Sequence, residues 1–136
     1  MQKFTWPVRV YLEDTDAQAV VYNASYFRFM ERARTEALRA RGIDHDEARE
    51  RYGVLFVLIG VEARFRAPAR LADLLDVEAH IVEATGARLI FEQGIRRAEG
   101  AREPICDAWT DVACIDAARG KPRRWPADLI GKLRKP

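Results

Sequence analysis

The sequence predicts an α+β domain in which a curved antiparallel sheet wraps around one central helix. Three observations carry this expectation: a period-two opening segment, one long helical segment with a broad apolar stripe, and four consecutive strand-like segments joined by short turns. A sheet that is apolar on one face must cover that face, and a single wide-striped helix is on offer to do it.

The opening segment sets Trp6, Val8, Val10 and Leu12 against Arg9, Tyr11 and Glu13, the alternation of a half-buried strand. After a loop over 14–21, a helix is expected at about 24–41, because Tyr26, Phe29, Met30, Ala33, Ala37 and Ala40 recur at helical spacing. Asn23 or Ser25 is placed to cap its start and Gly42 to close it. Residues 43–52 read as a short second helix with Asp44 as N-cap, ending near Gly53. From 54 the period changes to two, with Leu55, Val57, Ile59, Val61, Ala63 and Phe65 on one face. Arg66-Ala67-Pro68-Ala69-Arg70 interrupts that strand, since proline has no N–H to give to a ladder. Further strands are expected at 75–84, 87–98 and 105–116, separated by turns at Thr85-Gly86 and Glu99-Gly100. Short turns between the four strands imply a meander; periodicity carries no strand order beyond that.

A chain of 136 residues fits one domain, here 1–136, with a core over about 6–125 and a basic tail over 126–136. The tail region, with Lys132, Arg134 and Lys135, is expected to be solvated. With 49% hydrophobic residues the chain is not disordered, and 23 basic against 21 acidic residues argue against a nucleic-acid partner. The longest apolar run, 54–61, is far too short for a transmembrane segment, and Met1–Pro7 has no apolar leader core, so a cytoplasmic protein is expected. Cys106 and Cys114 share one strand, where eight residues of rise separate them by ~26 Å, beyond disulfide reach. His45 and His80 stand apart from both cysteines, so no metal site is expected, and the cysteines read as small buried residues.

The chemistry concentrates in Glu13-Asp14-Thr15-Asp16-Ala17-Gln18-Ala19-Val20-Val21-Tyr22-Asn23-Ala24-Ser25-Tyr26, which brings a carboxylate-bearing turn to a helix start. The first N–H groups of a helix have no intrahelical partner and lie at the positive end of its dipole. They are suited to hold negative charge developing on an oxygen, while a nearby Asp serves as base or nucleophile. Those are the parts needed to hydrolyse an activated acyl group.

The segment from Val8 through Tyr26 and on to Glu31-Arg32-Ala33-Arg34-Thr35-Glu36 closely resembles the hotdog-fold acyl-CoA thioesterases. Within the 4-hydroxybenzoyl-CoA thioesterase-like family it is most similar to the Tol–Pal-associated (YbgC-like) subgroup. A second block agrees, Phe65-Arg66-Ala67-Pro68-Ala69-Arg70-Leu71-Ala72-Asp73-Leu74-Leu75, and Gly86-Ala87-Arg88-Leu89-Ile90-Phe91 matches more loosely. The resemblance implies a hotdog fold, a homodimer with the sheets joined and the active sites at the interface, and often a homotetramer made of two dimers. It implies Asp16 as nucleophile or general base and the Asn23 backbone N–H as polariser of the thioester carbonyl. It places Tyr22 beside the site and Arg88 against the CoA phosphates. Such enzymes need no metal or redox cofactor, CoA entering as part of the substrate, and an acyl carrier protein is the other carrier to consider. The chain departs from the subgroup in having Gln18-Ala19 for Gly-Gly and Asn23 for His.

Taken alone, Asp16 is an ordinary turn carboxylate, and the surrounding motif is what marks it as catalytic. Asp14 reads as structural, holding the loop through backbone N–H groups. Tyr26 reads as core, His45 and His80 as solvated surface residues, and Arg88 equally well as a strand-end charge. The expected activity is hydrolysis of an acyl-CoA or acyl-carrier-protein thioester, with water attacking under Asp16 catalysis or Asp16 attacking directly. A non-catalytic acyl-thioester-binding module and a structural partner of an envelope complex are the alternatives the same fold allows.

Overall fold

The computed structural model describes residues 3–136. Strand β1 (Phe4–Arg9) leads through a single 3₁₀ turn (Leu12–Asp14) and a loop to helix α1 (Asn23–Ala40). A short helix, α2 (His45–Glu47), runs into a wider turn of π type (Ala48–Tyr52). Strands β2 (Val54–Phe65), β3 (Leu74–Thr85), β4 (Arg88–Arg97) and β5 (Pro104–Asp116) follow, and α3 (Ala127–Leu133) ends the chain. Among the described residues, no helix is long and apolar enough to cross a membrane.

The five strands form one antiparallel sheet in the order β1-β3-β4-β5-β2. Only β3, β4 and β5 make a meander. The expected four-strand meander fails at β2, which crosses over to pair with β5 and becomes an edge. A connection of eight residues (66–73), carrying Pro68, separates β2 from β3 and is too long and irregular for a hairpin.

The face of the sheet toward α1 carries Leu75, Val77, Ala79 and Ile81 from β3 and Leu89, Phe91, Gln93 and Ile95 from β4. Cys106, Ala108, Thr110, Val112 and Cys114 continue it on β5, and α1 covers it with Tyr26, Phe29, Met30, Ala33, Ala37 and Leu38. Ala40, expected in the helix stripe, is exposed. The helix ends where Gly42 takes φ +78°, with the Ile43 N–H reaching back to the Leu38 carbonyl at 2.9 Å.

One register error in the sequence expectation has a clear cause. A bulge between Leu58 and Gly60 shifts the pairing of β2 with β5. One extra residue reverses the side-chain phase, so Val54, Phe56 and Leu58 share a face with Val61, Ala63 and Phe65, while Leu55 and Val57 point the other way. Leu12 also departs from expectation: β1 stops at Arg9, and Leu12 lies exposed in the 3₁₀ turn.

The basic tail is not simply solvated. Trp125, Leu129 and Leu133 are buried in the main core, the Trp125 indole donates to the Arg88 carbonyl at 3.0 Å, and Arg134 Nε donates to the Ala84 carbonyl at 3.0 Å. The charges of α3 stay on its outer side while its leucines close one end of the core.

Candidate active site

The loop before α1 is built by backbone pairing. The Asp16 N–H donates to the Val20 carbonyl at 2.9 Å and the Ala19 N–H to the Asp16 carbonyl at 3.0 Å, closing a tight hairpin flanked by a Thr15–Val21 bridge. The Gln18 N–H donates to Asp16 Oδ1 at 2.8 Å, an Asx turn that fixes the carboxylate and leaves Oδ2 without a hydrogen bond among the described residues. Ala19 sits at φ 63°, the left-handed region, which favours glycine.

Asp14 holds the other side of this loop. It is 4% exposed; its Oδ2 accepts the Tyr11 N–H at 2.8 Å and its Oδ1 lies 3.8 Å from Arg28. Its carbonyl accepts the Tyr22 N–H at 2.9 Å and the Ser25 hydroxyl at 3.2 Å. Those two bonds clamp the loop onto the first turn of α1. Asp16, two residues further along, is thereby kept within ~7 Å of the clamp.

The two sequence blocks that carried the resemblance meet physically here. The Val21 N–H donates to the Ala69 carbonyl at 2.8 Å, Val20 bridges Arg70, and the Ala69 N–H donates to the buried Tyr26 hydroxyl at 3.0 Å. Burial raises the Tyr26 phenol above its ordinary range, with the Ala69 bond opposing. Arg97 ties the far side down, pairing with Asp73 and donating to the Pro68 carbonyl at 2.6 Å. Sequence reading missed Arg97. Only its position opposite Leu75, in the second block, hinted at it.

Asn23 is not the cap. The N-cap is Tyr22, extended at φ −66° and ψ 135°, and no side chain caps the helix. Ser25 also fails as a cap, because its hydroxyl is spent on Asp14 and on Arg28 Nη2, which donates to it at 2.9 Å. Asn23 is the first helical residue, and its N–H has no acceptor among the described residues. Tyr22 is 57% exposed beside it. Tyr22 and Asn23 thus form one helix start, and Asp16 lies on the loop clamped to it.

Arg88 is not gathered with them. It lies on the sheet face turned away from α1, paired with Asp111 across β4 and β5, and that pairing holds its guanidinium above the ordinary range. His45 packs edge-on against Phe56 at 5.3 Å between centroids, and His80 stands opposite Glu92 on the outer face.

The thioesterase-like superfamily pattern matches residues 10–133 of this chain. The chain belongs to that superfamily. It is 41% identical over 132 residues to the acyl-CoA thioester hydrolase YbgC of Escherichia coli, covering 97% of this chain and 96% of the relative. A probable thioesterase from Bartonella henselae superposes with a TM-score of 0.84 at 35% identity, over 92% of this chain and all (100%) of that one. The fold is also that of 4-hydroxybenzoyl-CoA thioesterase bound to 4-hydroxybenzoyl-CoA, with a TM-score of 0.89 over 98% of this chain and 99% of that one, at 18% identity. The matched span runs from Val10, before the clamp, to Leu133 in α3, so the superfamily pattern takes in the whole loop and the helix start.

Proposed function

We propose that this chain hydrolyses acyl-CoA thioesters to free acid and thiol. The observation that carries the proposal is the clamp of Asp14 on Tyr22 and Ser25, which sets the Asp16 loop beside an uncapped helix start. The names of the YbgC relatives supply the reaction class.

In this reading the thioester carbonyl oxygen points at the Asn23 N–H. As the tetrahedral intermediate forms, that N–H and the helix dipole stabilise the charge gathering on oxygen. Asp16 either takes a proton from the attacking water or attacks the carbonyl itself through Oδ2. In the first route the C–O bond forms as water loses its proton to Asp16, and collapse expels the thiolate. In the second the thiolate leaves a mixed anhydride that water then opens. A thiolate is a good leaving group, so no imidazole is needed, and Asn23 in place of His is compatible with the chemistry. Tyr22 forms a wall of the acyl entrance. Arg88, tied to Asp111 on the outer face, takes no part.

The chain acts as a homodimer through β2. This edge exposes Val57, Leu58, Ile59 and Val61, an apolar edge strand of the kind that soluble proteins cover. A homotetramer would need a second surface, and Trp109, 51% exposed on the outer sheet face, supports one there. The helix around which the sheet curls is α1, supported by its packing on β1 and β3. The thiol carrier is CoA, with an acyl carrier protein as the alternative donor.

Thiol release from a panel of short, long and aromatic acyl-CoAs tests the reading. Catalysed release from at least one of them is expected. Release no faster than the spontaneous rate across the panel would instead favour a binding module.

A further inference from the structure

Beneath α1, away from its start, the core contains a polar network that the reaction does not use. Gln93, buried in β4, donates through Nε2 to the Met30 carbonyl at 3.1 Å and accepts through Oε1 from the buried Thr110 hydroxyl at 2.9 Å. The same Oε1 accepts from Arg34 Nη1 at 2.9 Å. Two strands and the helix backbone therefore fix one guanidinium. Arg34 is half-buried, and no carboxylate pairs with it among the described residues. Desolvation holds its guanidinium below the ordinary range, with Glu31 acting the other way. One N–H is used of the five an arginine carries.

What Arg34 faces is a cavity of about 320 Å³, with Leu38, Phe56, Leu58, Phe91 and Val112 as its apolar walls. Glu31 and His45 stand exposed at its mouth. The volume is at the small end of ligand pockets. Eleven residues of helix separate Arg34 from Asn23, a distance of ~16 Å along the axis. An apolar chamber with a positioned cation in no close ion pair among the described residues, its acidic neighbour Glu31 standing at the mouth, suits one ligand chemistry: a small hydrocarbon or aromatic body ending in a carboxylate, which pairs bidentately with a guanidinium.

We propose that the cavity under α1 binds such a small apolar carboxylate, with Arg34 as its anchoring and specificity-determining residue. The ligand is a free carboxylic acid, because a dicarboxylic acyl group held at the Asn23 N–H would have to span most of those ~16 Å before its far carboxylate met Arg34. Binding of the free acid does not depend on the thioesterase reading.

The test is calorimetric titration of the full chain with sodium hexanoate and with 1-hexanol. Hexanoate is expected to bind at least ten-fold more tightly than hexanol, and Arg34→Met to abolish that preference with an unchanged melting midpoint. Replacing a half-buried ion by a hydrophobe of similar length leaves Gln93 bonded to Thr110 and Met30, so the variant should fold. If it does not, Thr35→Phe fills the same cavity from α1 and should remove hexanoate binding with Arg34 intact. No hexanoate binding, equal binding of hexanoate and hexanol, or an undiminished preference for hexanoate in Arg34→Met overturns the proposal.

Discussion

The Tyr22 N–H donates to the Asp14 carbonyl at 2.9 Å, and this bond ties the Asp16 loop to the start of α1. The Asp14 carboxylate is the buried end of the same clamp. Its bond from the Tyr11 N–H and its neighbour Arg28 make it costly to remove. Asp14→Ala is expected to lose about 1.5–3 kcal/mol in urea unfolding, the range for a hydrogen bond to a charged group. A loss below about 0.5 kcal/mol would mean that the Asp14 carboxylate is dispensable.

Ala19 carries a backbone conformation that a Cβ disfavours. Ala19→Gly is expected to raise stability by about 0.5–1 kcal/mol, the relief at φ 63° exceeding the extra freedom of glycine in the unfolded chain. A lower unfolding midpoint for the glycine variant would show that the loop is not strained there.

At Asn23 side chain and backbone are separable. Asn23→Ala should change stability by less than about 0.5 kcal/mol, because no cap is lost. Asn23→Pro removes the N–H at a helix position that tolerates proline, and Tyr22 before it already has the extended conformation that proline requires. The proline variant should fold and lose about 10²-fold or more in turnover, as for a deleted oxyanion donor. A folded, fully active proline variant would place the polarising donor elsewhere.

Burial raises both the Cys106 and Cys114 thiols from 9.0 to about 11. An acid whose folded pKa is raised contributes stability below the unfolded value and loses it as pH climbs toward the folded one. Wild-type stability should therefore fall between about pH 9 and 11 more steeply than that of a Cys106→Ala, Cys114→Ala double variant. Parallel pH profiles for the two proteins would contradict this.

The β2 edge predicts the assembly. Ile59 is 56% exposed at the bulge, so Ile59→Lys should leave the fold intact while shifting the protein toward monomer in light scattering. A wild-type protein that is monomeric at assay concentration would refute the dimer.

Element type was legible in the sequence for α1 and for β3 to β5, even though the β3–β4 and β4–β5 registers shift at Ile81–Glu83 and Ile95–Arg96. The facing of β2 was misread although its type was right, because the bulge at Leu58–Gly60 reverses the phase and leaves no mark in a run of apolar residues. Pairing of β2 with β5 is a long-range contact that no local pattern encodes. The turn at Asp16 and the helix start were legible, because turn and cap chemistry is local. Asn23 was misread as a cap because its residue type fits that role, whereas the extended Tyr22 backbone fixes where the helix begins. The Arg34–Gln93–Thr110 network was invisible, since its members lie 59 and 17 residues apart.

The most direct measurement is thiol release by Asp16→Asn. The amide keeps the Oδ1 acceptor for the Gln18 N–H, so the Asx turn and the fold should survive. It is unable to take a proton or attack a carbonyl, and turnover of acyl-CoA is expected to fall by several orders of magnitude. A folded variant that keeps more than about a tenth of wild-type turnover, a barrier change under ~1.4 kcal/mol, would contradict a central role for Asp16.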